Sequence, residues 1–486
     1  MSDRVRPFPS LRITADGLVP EGPFAEAQAA FLRPDATLVA RLDRLLSEKA
    51  TGVVAHFYMD PELQGVLASC THPHIHVSDS LVMADRAVEQ ARAGMKRIVV
   101  LGVDFMSENA RAMLDAGGFA DVPVYRVAAD PIGCSLAEAA EAKAYDAYLD
   151  RAGRTPRALH VVYINTSLRT KATAQSKVPT ITCTSSNVVA TVLDAAATIP
   201  DVRIFFGPDT YMGRNIATML DALAQGTDAD VKKLHPAHDV ASIRSLRERF
   251  SYFDDGACIV HHMFGREVVE RLRASYADAF VTAHLEVPGE MFSLGLEAQR
   301  RGAGVVGSTS DILRFIEGRV DAAIAKHEAA SLEFVLGTEA GMITPVVRKV
   351  EAKLRANREA GGPDVTCSIL FPVASEAIAR TDDPLTIVPG VASGEGCTTA
   401  GGCATCPYMK MNSLEALFAV LEKLDVESPR SLAIFHPKKV EDTIGGHSIT
   451  ELGTIPILHM RAFQKDKRMP AALVDDVLAR PGQAPV

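Results

Sequence analysis

An α/β fold built on parallel sheets is predicted by three features that recur along the chain: short β-branched runs, small or polar residues where each run stops, and an amphipathic stretch after it. Strands that alternate with helices form βαβ units, and these need parallel sheets. In such sheets ligands bind beyond the carboxyl ends of the strands.

The first predicted strand is Gly52-Val-Val-Ala-His56, an apolar run closed by Tyr58 and Pro61. Arg97–Val103 follows and ends before Met106-Ser-Glu-Asn109. His160-Val-Val-Tyr-Ile-Asn165 stops at Thr166 and Ser167, and Thr180–Asn187 passes into a helix that runs through at least Leu193. Val202–Gly207 leads to Asp209, Ala279–His284 to Glu286, Gly304–Ser310 to Ile312, and Glu333–Glu339 to a Gly-Met step. The helix starts after these strands direct unpaired N–H groups to one side, which suits phosphate or carboxylate.

These units fall into three sets, 45–150, 151–270 and 271–412, with polar breaks at Asp150–Thr155 and Arg271–Asp278. Three similar αβα domains are therefore expected, although the sequence contains no exact repeat. Each set has a cysteine near its end: Cys134, Cys258 and Cys406, spaced 124 and 148 residues apart. No local loop joins them, but a three-lobed fold can. Three thiolates meeting at one point would suit an iron–sulfur cluster and leave one iron open to substrate.

The ends read as extensions, 1–44 and 413–486. Residues 1–34 are Pro-rich and weakly periodic, after which Asp35 can cap a helix burying Leu38, Leu42, Leu45 and Leu46. Asn412 stands three residues before Glu415, as a capping box requires, and Leu414, Leu417, Phe418, Leu421 and Leu424 form one apolar stripe. Residues 430–460 read as short strands.

A chain of 486 residues with 47% hydrophobic and 23% charged residues has the composition of an ordinary globular protein of about three domains. Its net charge of −9 argues against a nucleic-acid binder. No apolar run approaches the ~20 residues of a membrane span. The start, Met1-Ser-Asp-Arg-Val-Arg-Pro7, lacks a secretory signal, so a cytoplasmic location is expected. Eight cysteines in so long a chain are not a disulfide framework.

Several clusters carry two readings. Cys403-x-x-Cys406 can be a redox pair, half of a zinc site with Cys397 nearby, or a source of one cluster ligand. His284 and Glu286, two apart at a strand end, share one side and can handle protons or form a structural ion pair. Gly307-Ser-Thr-Ser310 and Cys183-Thr-Ser-Ser-Asn187 can hold an anion or simply cap helices. The stretch Cys70-Thr-His-Pro-His-Ile-His76 reads as a solvent-exposed loop before it reads as a metal site.

Taken in order, the segments Ala55–Tyr58, Ser78–Leu81, Gly102–Met106, Tyr163–Asn165, Cys183–Asn187, Cys258–His261, His284–Glu286, Gly307–Ser310, Gly337–Glu339 and Cys406–Asn412 resemble the quinolinate synthase family. The resemblance implies three domains around a pseudo-threefold axis and a [4Fe–4S] cluster held by Cys134, Cys258 and Cys406. It also implies condensation of iminoaspartate with dihydroxyacetone phosphate to quinolinate in NAD biosynthesis. His56, Ser80, Tyr163, Asn165, Ser185, His284, Glu286 and Thr309 match the family's substrate contacts, and Tyr58 matches a tyrosine over the active site. Glu286, Tyr58 and His284 are the implied catalytic groups. An L-aspartate oxidase or dehydrogenase is the implied source of iminoaspartate. The chain departs from the family in extra residues between His56 and Ser80, in Leu285 and Val287, and at Ala400. Another cluster-dependent hydro-lyase, or an iron–sulfur or redox sensor using Cys403-x-x-Cys406, are the competing functions. A sensor needs no convergent substrate groups.

Overall fold

A computed structural model describes residues 7–372, 405–438 and 442–480. Three sheets carry the α/β fold. The first has the order Ile75–Ser78, Thr51–His56, Arg97–Leu101, Val124–Tyr125, with every pairing parallel. The second has the order Phe250–Tyr252, Arg203–Gly207, Ala158–Tyr163, Thr180–Cys183, again all parallel. In the third, Gly304–Gly307, Phe280–His284, Ala330–Gly337 and Val365–Leu370 are parallel, and Ser10–Thr14 and Gly17–Glu21 extend the edge antiparallel. Every residue of Thr51–His56 and of Ala158–Tyr163 is buried, as strands covered by helices on both faces must be.

All eight predicted strands form, with shifted ends. Arg97–Leu101 stops before Gly102 because Asn412 takes over the ladder's role. The Gly102 N–H donates to Asn412 Oδ1 at 3.1 Å, and Asn412 Nδ2 donates back to Gly102 O at 3.3 Å. Both expected polar breaks lie in helical residues, since Asp150–Arg154 ends the helix Lys143–Arg154 and Arg271–Ser275 ends the helix Arg266–Ser275.

The two ends differ from expectation. Residues Ser10–Glu21 form a hairpin that completes the third sheet, with buried Leu11 and Ile13 in its core. Asp35 caps the helix Ala36–Glu48, accepting from the Thr37 N–H, and Leu42 and Leu46 are buried. Ser413 rather than Asn412 caps Leu414–Lys423, because Asn412 is already spent on Gly102. Among the described residues of 430–460, the expected short strands are mostly replaced: Thr443–Ile444 and His447–Ser448 pair, and Ile449–Asp466 is one long helix. Its Ser448–Glu451 capping box starts it, and it packs on the helix Leu168–Lys177. Gly453 permits that approach, since a Cβ there would lie 2.5 Å from Leu168 O. No described helix is long and apolar enough to cross a membrane.

Candidate active site

The carboxyl ends of the central strands of the three sheets converge. His56 ends the central strand of the first sheet, Tyr163 that of the second and His284 one of the third. The turns just beyond supply Tyr58, Asn165, Glu286 and Glu339. His56, Tyr58, Asn165, Glu286, Glu339, Cys134, Cys258 and Cys406 line one cavity.

The two strand-end histidines are prepared alike. The Tyr58 N–H donates to His56 Nδ1 at 3.1 Å, and the Glu286 N–H donates to His284 Nδ1 at 3.3 Å. Each neutral ring therefore carries its proton on Nε2, as a donor. Burial lowers the pKa of His56 to about 4 and of His284 to about 3, so both rings are neutral at pH 7.

Glu286 is 2% exposed and faces three partners. Tyr163 donates its hydroxyl to Oε1, His261 Nδ1 lies 3.2 Å from Oε2, and His284 Nδ1 lies 3.6 Å from Oε1. Burial opposes its charge, but His261 and the Tyr163 hydroxyl outweigh burial and hold the carboxyl below the ordinary carboxylate range. Burial, and then the charge of Glu286, pushes Glu339 and Asp209 the other way, well above that range. The buried carboxyls are thus pushed in opposite directions, with Glu286 favoured as the charged acceptor. Tyr58 reaches the third sheet through Thr338, Oη to Oγ1 at 3.3 Å, and His261 Nε2 lies 3.4 Å from the same hydroxyl.

Each of the three cysteines precedes a helical turn. Cys134 and Cys406 are the N-cap residues of Ser135–Glu141 and Pro407–Lys410, and Cys258 O accepts from His262 at the start of a short 3-10 turn. Burial raises the Cys134 thiol to about 12 and pushes Cys258 and Cys406 well above the ordinary thiol range. Backbone N–H groups oppose this, from Ala137 and Leu136 at Cys134, His261 at Cys258, and Met409 and Tyr408 at Cys406. Cys406 is close enough to Cys134 and to Cys258 for thiolates to repel. Three half-buried cysteines with backbone N–H donors aimed at their sulfurs fit a cationic metal group, which would bind them as thiolates. A carboxylate oxygen of Glu339 and a ring nitrogen of His261 lie within 4.8 Å of Cys258 Sγ and of each other, and Glu339 Oε2 has no hydrogen-bond partner.

The hydroxyl-rich turns are less uniform. Asp79 and Ser308 cap the helices that begin at Ser80 and Thr309, so Ser80 and Thr309 are not needed for capping. In the turn before Val188–Thr198, Asn187 Oδ1 accepts from the Thr184 N–H and Thr184 Oγ1 pairs with Ser186 Oγ at 2.8 Å, while Ser185 is half-buried. Cys183 is buried in its strand, away from the cavity lining. Cys397, Ala400 and Cys403 lie outside the described residues. Of the His-rich stretch, Ile75 and His76 belong to a strand, and neither group of metal-ligating side chains among the described residues includes that stretch. Sequence alone missed His261, Glu339 and Asp209 as site residues. Each falls just past a strand or beside a predicted ligand, which was the available signal.

The fold and site define an α/β enzyme centre of neutral imidazoles and a buried carboxylate at strand ends, with three thiols at the starts of helical turns. Comparison narrows it: the family model "NadA: Quinolinate synthetase A protein" matches residues 40–443. A quinolinate synthase, chloroplastic, of Nicotiana tabacum is 54% identical over 98% of this chain and 68% of its own length. The one of Arabidopsis thaliana is 52% identical over 97% of this chain and 67% of its own length, and that of Oryza sativa subsp. japonica 50% over 98% and 70%. The chain belongs to the quinolinate synthase family and is an enzyme of NAD biosynthesis. The expectation of a cytoplasmic location is overturned by these relatives, whose names carry "chloroplastic".

Proposed function

We propose that the chain condenses iminoaspartate with dihydroxyacetone phosphate to quinolinate, with loss of phosphate and water, using a [4Fe–4S] cluster held by Cys134, Cys258 and Cys406. The observation that carries this is the single cavity lined by those three cysteines together with His56, Tyr58, Asn165 and Glu286. When bound, the cluster supplies a Lewis-acidic iron that polarises an oxygen of the substrate. Three αβα domains, 45–150, 151–270 and 271–412, arranged around a pseudo-threefold axis, would bring one cysteine each. Such a substrate could be supplied by an L-aspartate oxidase or dehydrogenase.

The protein's own groups have distinct tasks. His56 and His284 present Nε2–H donors to substrate carboxylates without adding a positive charge that would trap the product. Ser80, Ser185 and Thr309, at or before helix starts, offer hydroxyls and nearby N–H groups to carboxylate and phosphate oxygens. Asn165 lines the cavity and positions substrate. Glu286, ionised and hydrogen-bonded to Tyr163, accepts a proton through that hydroxyl and returns it to a departing hydroxyl group. Tyr58, between His56 and Thr338, closes the cavity over the reacting atoms and excludes water.

The test is anaerobic isolation, with iron, sulfide and quinolinate formation measured on the whole chain and on serine variants of each cysteine. Loss of iron and sulfide in Cys134→Ser, Cys258→Ser and Cys406→Ser, with retention in Cys70→Ser, Cys183→Ser and Cys403→Ser, is the expected result. A cluster retained in Cys258→Ser and lost in Cys403→Ser would overturn the ligand set.

A further inference from the structure

One device recurs in three places around the cavity. A buried side-chain donor bonds both carbonyls that flank a single cavity-lining residue. Gln64 Nε2 donates to Phe57 O and, at 3.2 Å, to Met59 O, the carbonyls of the residues on either side of Tyr58, and also to Gly341 O at 2.9 Å. Lys171 Nζ donates to Ile164 O at 3.1 Å and to Thr166 O, the carbonyls of the residues on either side of Asn165. Asn215 Nδ2 donates to Leu285 O at 2.9 Å and to Val287 O at 2.8 Å, the carbonyls of the residues on either side of Glu286. All three donors are almost wholly buried, and none of them lines the cavity.

The geometry explains why such a device is useful. A residue one or two positions past a strand end has lost the ladder that fixed its backbone. Holding the carbonyls of the residues on both sides pins the peptide before it and the second peptide after it, and so narrows the directions open to its Cα–Cβ bond. The three donors come from helices that follow different strands: Gln64 from Pro61–Leu67, Lys171 from Leu168–Lys177 and Asn215 from Thr210–Ala224. Asn215 belongs to the second sheet's region and Glu286 to the third, so that clamp also sets one lobe against another. Lys171 does the same indirectly: its helix begins with the Leu168 N–H donating to Glu108 Oε2 of the first sheet's helix at 2.9 Å. A lysine buried with two neutral carbonyls as its direct partners is an expensive choice of donor. Its reach from the helix to both carbonyls of the turn explains the choice.

We propose that Gln64, Lys171 and Asn215 are positioning residues, each aiming one functional side chain of the site: Tyr58, Asn165 and Glu286 respectively. This rests on the function proposed above, in that quinolinate is the ligand used to read it. The role is specific to each pair. Loss of a clamp misdirects its own client and leaves the other two in place.

Double-mutant cycles test this, with quinolinate dissociation constants on anaerobic, cluster-loaded protein as the readout, alongside iron, sulfide and thermal melting. Lys171→Met keeps the length of the side chain and removes the donor; it should weaken quinolinate binding on the order of 10- to 10²-fold. Combined with Asn165→Ala it should add little to the effect of Asn165→Ala alone, whereas combined with Glu286→Gln the fold-changes should multiply. Asn215→Leu should show the reverse pattern, redundant with Glu286→Gln and independent of Asn165→Ala. Lys171→Gln, which keeps a donor, should recover part of the affinity. Effects that multiply within a clamp and its own client would overturn the proposal. So would normal binding by Lys171→Met, or loss of fold and cluster in both Lys171→Met and Lys171→Gln. If the wild-type chain binds iron and sulfide but no quinolinate, the proposed function fails instead.

Discussion

Histidines stand at both ends of the first sheet's parallel strands, and they behave differently. At the carboxyl end, His56 is buried, neutral and set with its Nε2–H facing the cavity lining it shares with Tyr58 and Glu286. At the amino end, His72 and His74 lead into Ile75–Ser78 and are only partly buried. His72 bonds Thr51 O at 3.0 Å and Ser47 Oγ at 3.3 Å, fastening a loop to the helix beneath it. The denser histidine cluster in the sequence is the structural one. Which end of a parallel strand a residue occupies decides its role here, and the number of like residues nearby does not.

The strongest way to break this comparison is to remove proton exchange at the carboxyl end. Glu286→Gln keeps the size and one acceptor, and should leave iron and sulfide content intact while lowering quinolinate formation by ~10²–10⁴-fold. Near-normal turnover would take Glu286 out of the chemistry, and loss of the fold would make it a structural ion-pair partner.

Burial and location are separated by His160, which lies in the second sheet's central strand and pairs with Tyr145 Oη at 2.8 Å. Burial lowers its pKa to about 3, as it lowers His56 to about 4 and His284 to about 3. Below the ordinary value of 6.5 the unfolded chain takes up protons that these folded rings refuse. Stability should therefore fall as the pH drops from about 6.5 towards 4, by ~1 kcal/mol per ring per pH unit. Thermal melts from pH 7.5 to 5 check the slope, and His160→Asn should make it shallower without changing quinolinate affinity. An unchanged slope in that variant would mean that other groups carry the acid sensitivity.

The smallest effect belongs to the amino end. His74→Ala should change stability by no more than ~0.5 kcal/mol and leave iron content and turnover unchanged. A loss of bound metal there would restore the His-rich stretch as a site.

Much of this centre is legible in the sequence, because parallel strands advertise themselves. Val53, Val54, Val99, Val100, Val161 and Val162 are apolar runs stopped by polar residues, and those stops are the site. The strand after residue 364 and the hairpin at the start were not legible for opposite reasons. Val365-Thr-Cys-Ser-Ile-Leu370 has polar residues inside an otherwise buried run, and Ser10–Glu21 is stabilised by a partner over 340 residues away that no local pattern reveals. The helix Ile449–Asp466 was obscured by Pro456 within it, which reads locally as a helix breaker. Glu339 escaped notice because the burial that raises it, and then the charge of Glu286, arise from contacts made elsewhere in the chain.

The hairpin has a consequence for how the molecule is made. Ser10–Thr14 leaves the ribosome well before its partner Val365–Leu370, which follows only after the first two sheets and most of the third are synthesised. Pairing at such separation is slow to form, because a long loop must close before any contact rewards it. Until it closes, the Val365–Leu370 edge is an open row of N–H and C=O groups that a neighbouring nascent chain can join. The hairpin therefore acts late in biogenesis as a seal on that edge, and a segment made before all of the third sheet's parallel strands is among the last to find its place.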